Sequence, residues 1–282
     1  MTLSVATLSL AHVTSPRLTR LTPETYLQRI RAESARFRAV LGEAPSGARV
    51  PACPDWDTDD LLWHLAEVQW FWSRIVGHRP AGPDGLEHPL RPGDRAGLLA
   101  AYDAWSGDLV AALDGVAPDE QAWSWAPEQT VGFTLRRQAH EALVHGLDAE
   151  QTVGAVTPLD PALAADGVAE ALDVMFGGDA PEWGRIEPGP YVVRVDLVDV
   201  DVSLWAAPCT FLGTDPESGH CYDGPHVLHV ADPGREPDAV VSGTAGNLDA
   251  WLWKRSGADG VDVTGDPAAY DAFWAAVSPP ID

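Results

Sequence analysis

The chain has 282 residues, of which 45% are hydrophobic, enough for one large domain or two ordinary ones with a real core. Its 42 acidic residues against 18 basic ones give a formal net charge of −24, which argues against nucleic acid as a partner because no basic stripe can neutralise phosphates. No apolar run is long enough to span a membrane, and the three cysteines form no CxxC pair, so we expect a protein of the reducing cytoplasm.

The N-terminal half is predicted to be helical. Residues 1–20 lack the basic start and cleavage pattern of a signal peptide, and we expect them to form a flexible leader. Apolar residues then recur at helical spacing in four segments, residues 22–41, 58–77, 94–115 and 134–154. These segments predict a four-helix bundle over residues 21–156, although two loops of more than a dozen residues leave its up-and-down order open.

The pattern changes after a predicted linking helix at residues 160–177. Alternating β-branched runs predict strands at residues 191–198, 201–207, 226–231 and 239–245. Helical spacing returns at 247–257, a short strand is expected at 260–265, and a closing helix at 266–277. The sequence therefore predicts an α plus α+β protein, whose smaller α+β domain covers residues 157–282 and holds a sheet of antiparallel type.

The fourth predicted helix concentrates groups that can bind metal, in the stretch RRQAHEALVHGLDAE at residues 136–150. Residues four apart share a helix face, so Glu141 and His145 are neighbours, and Asp148 extends the same stripe. His140 is turned about 100° away from Glu141. Because the two histidines are five apart instead of four, the HExxH zinc-protease motif is excluded.

A third ligand has to come from another helix, and His64 on the second helix is the best candidate. It lies three residues after Leu61 and four before Val68, on the apolar face that we expect to point into the bundle. Two imidazoles and one carboxylate suit zinc and leave a fourth coordination position for water or substrate. Asp148 is expected to orient one of the ligands without binding the metal itself. The alternative is a hydrogen-bonded core histidine beside an ordinary Glu141–His145 helix pair.

The stretch VPACPDWDTDDLLWHL, followed some seventy residues later by RRQAHEALVHGLDAE, resembles the mycothiol-dependent maleylpyruvate isomerase family. That resemblance implies a DinB-like four-helix N-terminal domain that binds zinc through His64, Glu141 and His145, the same three residues. The stretch AVVSGTAGNLDAWLWKRSG is similar to the family's C-terminal domain, which resembles sterol carrier proteins.

The resemblance also implies a reaction and a further site residue. Zinc would activate a low-molecular-weight thiol, mycothiol, which adds to the double bond of maleylpyruvate or a related unsaturated keto diacid and leaves after rotation. Arg255 would hold a substrate carboxylate. Lys254 departs from the family, where a small residue is usual, and the segment between Pro208 and Pro225 has no clear counterpart in it.

Two alternatives to the isomerase stay open. A mycothiol S-transferase would use the same zinc and thiol to conjugate an electrophile, in detoxification or biosynthesis. A non-catalytic protein would bind its ligand in the carrier-like domain and keep only a vestigial bundle. The expected partners are thus a small thiol and a small acidic or electrophilic substrate, without nucleic acid or membrane.

Overall fold

The computed structural model describes residues 19–281, so the predicted leader lies outside the described residues apart from Thr19 and Arg20. Two compact units make up the described chain. One consists of residues 20–168 and 245–259, and the other of residues 169–244 and 260–281 with Thr19. This division differs from the predicted boundary at residue 156, because residues 157–168 and 245–259 pack with the helices.

The four predicted helices of the N-terminal half are confirmed, and two further helices lie in the regions predicted as the linking helix and as the helix at 247–257. Their bounds are α1 Pro23–Glu43, α2 Thr58–Gly77, α3 Arg95–Leu113, α4 Val131–Val153, α5 Pro161–Glu170 and α6 Ala245–Leu252. Helix α4 begins three residues before its predicted start because the Thr130 hydroxyl accepts a hydrogen bond from the Phe133 N–H. Gly154, at φ 68°, ends α4 in the left-handed conformation that favours glycine.

A small hairpin precedes α2 where the sequence predicts only a turn-rich connector. Strands β1, Arg49–Val50, and β2, Cys53–Asp57, pair antiparallel and lead directly into the helix. Asp57 caps α2 by accepting from the N–H groups of Asp59 and Asp60, and the Asp60 carboxylate accepts from the Asp57 N–H in return. The reciprocal cap fixes how the end of β2 meets the first turn of α2.

The interior of the helical unit is apolar around α1, α2 and α3, with Phe37, Leu41, Leu61, Leu65 and Tyr102 all buried. Helix α4 is different, since nearly every side chain from Val131 to Glu150 is buried, charged ones included. Burying charge is costly unless each charge is paired. The polar groups of α4 are therefore held in specific contacts.

One of these contacts is a buried cluster that joins α1, α4 and α5. The Arg136 guanidinium binds both carboxylate oxygens of Asp166 at 2.9 Å, and Asp166 also accepts from the Tyr26 hydroxyl. The His140 Nε2 lies 3.0 Å from the same carboxylate. His140 thus belongs to this cluster, in agreement with its predicted position off the Glu141–His145 face.

The other unit holds a mixed sheet, with the helix α7 (Pro267–Val277) packed on it. Its strands are β3 Gly184–Pro188, β4 Val193–Leu197, β5 Val202–Thr214, β6 Cys221–Val230, β7 Ala239–Gly243 and β8 Val261–Gly265. Long β5 pairs with β4 and β3 along one edge and with β6 along the other. The expected antiparallel pairing holds except between β4 and β7, which run parallel.

Two features of this sheet lie beyond the sequence predictions. Strand β3 contains Pro188 and was not predicted. The segment from Pro208 to Pro225 forms the distal part of the β5–β6 hairpin, with its turn between Thr214 and Cys221. None of the helices between residues 19 and 281 is long and apolar enough to cross a membrane.

Candidate metal centre

Three predicted metal ligands meet in the helical unit, between the first half of α2 and the middle of α4. His64 comes from α2, and Glu141 and His145 come from adjacent turns of α4. Each offers one ligand atom, and these atoms lie within 4.8 Å of one another. Helical spacing brings the two α4 groups together, and the packing of α2 against α4 adds the third.

The carboxylate of Glu141 lies at the centre of this cluster. Its Oε1 is 3.1 Å from the His145 Nε2 and 3.5 Å from the His64 Nε2. The two imidazole rings meet edge to face, with centroids 4.7 Å apart. Both imidazoles thus present Nε2 toward the same carboxylate oxygen.

His64 lies at the rim of the bundle and not deep inside it, which differs from the prediction. About a third of its side chain is exposed, 34%, whereas His145 has 8% exposed. The cluster is therefore walled by α4 and open beside His64. A small molecule can therefore approach the cluster from the side of His64.

The charges around the cluster favour a cation at its centre. Burial opposes ionisation of Glu141, but hydrogen bonds from His145 and His64 and the charge of Arg137 outweigh it and hold the Glu141 pKa well below its ordinary value. Burial likewise opposes charge on His145, yet the carboxylates of Asp148 and Glu141 raise its pKa to about 9. The two carboxylates that flank the imidazole therefore stabilise positive charge there.

Asp148 contacts His145, the residue that it is predicted to orient. Its fully buried carboxylate lies 2.9 Å from the His145 Nδ1 and accepts a hydrogen bond from the Nδ1–H group. Nε2 is then the ring nitrogen that can bind a metal. Burial would raise the Asp148 pKa, but His145 and Arg255 hold it below its ordinary value. The carboxylate is thus kept ionised.

Arg255, predicted to hold a substrate carboxylate, binds Asp148 in this structure. Its Nε and Nη2 each lie 3.0 Å from an oxygen of Asp148, a bidentate ion pair. Its Nη1 donates to the Trp253 carbonyl at 2.7 Å, and Nη2 lies 3.8 Å from the Cys53 sulfur. Capture of a substrate carboxylate by Arg255 stays a prediction, and in this structure the Nε–Nη2 edge of its guanidinium is bound to Asp148.

Two site residues were missed by the sequence analysis. The Trp56 ring, on β2, packs 4.7 Å from the His64 ring and 6.4 Å from the His145 ring, between centroids. Arg137 donates to the second oxygen of Glu141 at 3.1 Å and stacks over Trp253. The i,i+4 spacing of Arg137 and Glu141 indicates their contact from the sequence alone, whereas no local sequence pattern predicts that Trp56 packs on the histidines.

The three residues fit a divalent metal. Ligands of a tetrahedral zinc ion at about 2.1 Å would lie roughly 3.4 Å apart, close to the 3.1 and 3.5 Å that separate the two imidazoles from Glu141. A set of two histidines and one carboxylate is used by catalytic zinc sites, which keep a further position for water or substrate. The orienting carboxylate on His145 completes the arrangement that such ligands normally have.

Comparisons with known proteins match both halves of the chain. The family model described as the mycothiol maleylpyruvate isomerase N-terminal domain matches residues 27–150, and that of the MDMPI C-terminal domain matches residues 162–272. No curated protein matches the chain.

Two solved structures resemble the fold. The crystal structure of the mycothiol-dependent maleylpyruvate isomerase has 15% sequence identity and a TM-score of 0.54, over 86% of this chain and 93% of that one. A histidine-to-alanine mutant of that isomerase has 14% identity and a TM-score of 0.53, with the same coverage. At this identity the structures support the fold, while the two family models together span most of the sequence. The chain therefore belongs to the mycothiol maleylpyruvate isomerase family.

Proposed function

We propose that the chain is a zinc- and thiol-dependent enzyme, with mycothiol as the thiol, that isomerises maleylpyruvate or a related unsaturated keto diacid. The observation that carries the proposal is the convergence of His64, Glu141 and His145, with one accessible side, in a chain of this family. The two solved structures of similar fold are those of a protein named as a mycothiol-dependent maleylpyruvate isomerase, which supports the choice of thiol and substrate.

Zinc held by these three residues would lower the pKa of a coordinated thiol, and a thiolate is the nucleophile that addition to an activated alkene requires. The protein side chains supply the rest. Asp148 holds the Nδ1 proton of His145 and so keeps Nε2 available to the metal. Arg255 keeps Asp148 charged and in place, and Arg137 does the same for Glu141.

Trp56 contributes a different effect. Its ring packs against the His64 ring and lies 6.4 Å from the His145 ring, between centroids, and so would restrict the rotation of His64 and limit water on that side. Electrostatic interactions gain strength where water is excluded. A ligand set that is already oriented loses little conformational entropy when metal and thiol bind.

A mycothiol S-transferase is the second candidate. The observation that favours it is the ion pair of Arg255 with Asp148, which occupies one edge of the guanidinium expected to hold a substrate carboxylate. An S-transferase needs the activated thiol and an electrophile, without a requirement for that carboxylate contact. Both candidates predict the same metal and differ in the product.

Metal content measured by mass spectrometry is the direct test. Purified wild type supplied with zinc should hold about one zinc per chain, and His64→Ala should lose it. His88→Ala is the matched control, since His88 is an exposed histidine that lies outside α2 and contacts Glu67 of that helix. Failure of the wild type to retain zinc would overturn both candidates.

The product then separates the two candidates. With zinc and mycothiol present, maleylpyruvate should be converted to its trans isomer with the thiol regenerated. Accumulation of a stable thiol conjugate from maleylpyruvate or another electrophile, without the trans isomer, would replace the isomerase by the S-transferase.

A further inference from the structure

The segment that follows α6 contacts α4 at three points. The Gln151 side chain donates to the Arg255 carbonyl at 2.6 Å, and the Arg255 guanidinium binds Asp148. The third contact is made by Trp253, whose ring lies under the Arg137 guanidinium, 4.9 Å from Cζ to the ring centroid. The segment is therefore tied to the helix that carries two of the three candidate metal ligands.

Trp253 contacts both of the arginines that support those two ligands. Its ring stacks on Arg137, which donates to the Glu141 carboxylate at 3.1 Å. Its carbonyl accepts from the Arg255 Nη1 at 2.7 Å, and Arg255 binds the Asp148 carboxylate that contacts the other ligand of α4. One residue thus joins two chains of contacts that both end at the candidate metal centre.

The ring contact is buried on both sides. Arg137 has 4% of its side chain exposed, and Trp253 is 6% exposed. A cation that is removed from water interacts more strongly with an aromatic ring than an exposed one does, and tryptophan is the best aromatic partner. A ring beneath the guanidinium also limits its rotation, and the planar donors of arginine have to point at the carboxylate to bind it. The ring therefore helps to direct Arg137 toward Glu141.

The backbone after α6 explains how one residue reaches both arginines. Lys254 has a φ of 61°, in the left-handed region, and its N–H donates to the Trp251 carbonyl at 3.1 Å. The Arg255 N–H donates back to the Ala250 carbonyl at 2.7 Å. These two bonds are those of a Schellman helix end. The turn fixes the Trp253 carbonyl beside the Arg255 side chain while the Trp253 ring lies against α4.

We propose that Trp253 is a positioning residue of the candidate metal centre. Its ring holds Arg137 against Glu141, and its carbonyl holds Arg255 against Asp148. The inference rests on the proposed function for the metal that these groups serve, and it adds the segment after α6 to the residues on which metal binding depends.

The zinc affinity of Trp253 variants, from competition titration against a chelator, tests this role. Trp253→Leu removes the ring and leaves the carbonyl, and it should weaken zinc binding about fivefold or more. Trp253→Phe keeps an aromatic face and should stay within about threefold of the wild type. The matched control is Trp205→Leu, the same change at a buried tryptophan of the sheet unit that stacks with Arg194, and it should bind zinc like the wild type. Equal zinc affinity in Trp253→Leu and the wild type, or an equal loss in Trp205→Leu, would overturn the inference.

A double-mutant cycle tests whether the ring acts through Arg137. In an Arg137→Met background the ring contact is already absent, so Trp253→Leu should change zinc affinity by less than about twofold. A further loss as large as in the wild-type background would show that Trp253 does not act through Arg137, and would contradict the proposed role.

A readout without metal separates this inference from the proposed function. In the metal-free wild type, NMR should show restricted rotation of the Arg137 guanidinium, with its signals assigned by their loss in Arg137→Met, and in Trp253→Leu they should average. That result in a protein that retains no zinc would leave the positioning of Arg137 by Trp253 standing and remove the enzyme. Averaged signals in the wild type, or restricted rotation unchanged in Trp253→Leu, would overturn the inference even where the wild type binds zinc and isomerises maleylpyruvate.

Discussion

Asp148 is the residue on which the orientation of the candidate metal centre depends most. Its carboxylate has no exposed surface and is shared by His145 on one side and Arg255 on the other. Removing the charge while keeping the shape would leave the Arg255 guanidinium, with 10% of its side chain exposed, without its counterion. The proton on His145 Nδ1 would then be held less strongly.

We therefore expect Asp148→Asn to weaken zinc binding by about 10–100-fold, the usual effect of losing the carboxylate that orients a metal-bound histidine. A competition titration against a chelator of known affinity measures the change. Asp103→Asn is the matched control, because Asp103 forms an exposed ion pair with Arg38 away from the cluster. Equal zinc affinity in Asp148→Asn and the control would show that Asp148 does not orient the ligand.

At the level of helices, the buried cluster of Asp166 holds α5 against α1 and α4 in the helical unit. Burial would raise the Asp166 pKa, but the Arg136 charge and the His140 hydrogen bond outweigh it and hold that pKa below its ordinary value. Arg136 has 2% of its side chain exposed and Asp166 none, so neither charge is solvated if its partner is lost.

Asp166→Asn should lower the free energy of unfolding by about 3–5 kcal/mol at pH 7, the usual cost of removing one partner of a buried ion pair. Asp108→Asn, which breaks the exposed pair with Arg74, should cost at most about 1 kcal/mol. Urea unfolding followed by circular dichroism measures both. A cost as small for Asp166→Asn as for Asp108→Asn would contradict the prediction.

The same variant has a predictable pH dependence. A carboxylate whose pKa is lower in the folded protein stabilises it above the unfolded pKa, about 3.9, and loses that contribution as the pH falls toward the folded value. The difference in stability between wild type and Asp166→Asn should therefore be constant from pH 7 to 5 and shrink below about pH 4. A difference that grows on acidification would contradict this assignment.

For the whole molecule, the dominant property is its net charge of −24. Like charges at this density repel one another, which destabilises the compact state, and salt screens them over about 10 Å at 0.1 M. Most ion pairs with exposed partners contribute little, so their weakening by salt is the smaller effect.

We expect the thermal midpoint at pH 7 to rise by a few degrees between about 0.02 and 0.5 M sodium chloride. The internal control is pH 5, close to the sequence pI of about 4.5, where the same salt change should have a smaller effect because the net charge is smaller. A midpoint that falls with salt at pH 7 would mean that specific ion pairs outweigh the general repulsion.

The sequence alone determined the elements whose signals are local. The period of apolar residues predicted α1 to α4 within a few residues, and the spacing of Glu141 and His145 placed both on one helix face. His64 was predicted from its apolar face and from the family resemblance, and the structure brings it to the same cluster. Short or proline-containing strands such as β1 and β3 were missed because they carry no such period.

Only the tertiary structure decided which distant groups are neighbours. Arg255 and Asp148 are 107 positions apart, and residues 245–259 join the helical unit although the sequence assigned them to the α+β domain. The exposure of His64, the packing of Trp56 on both imidazoles and the parallel β4–β7 pair are likewise products of packing. Spacing along a helix follows from backbone geometry, which each residue carries with it, whereas the partner of a charged side chain depends on the packing of segments that the chain brings together only when it folds.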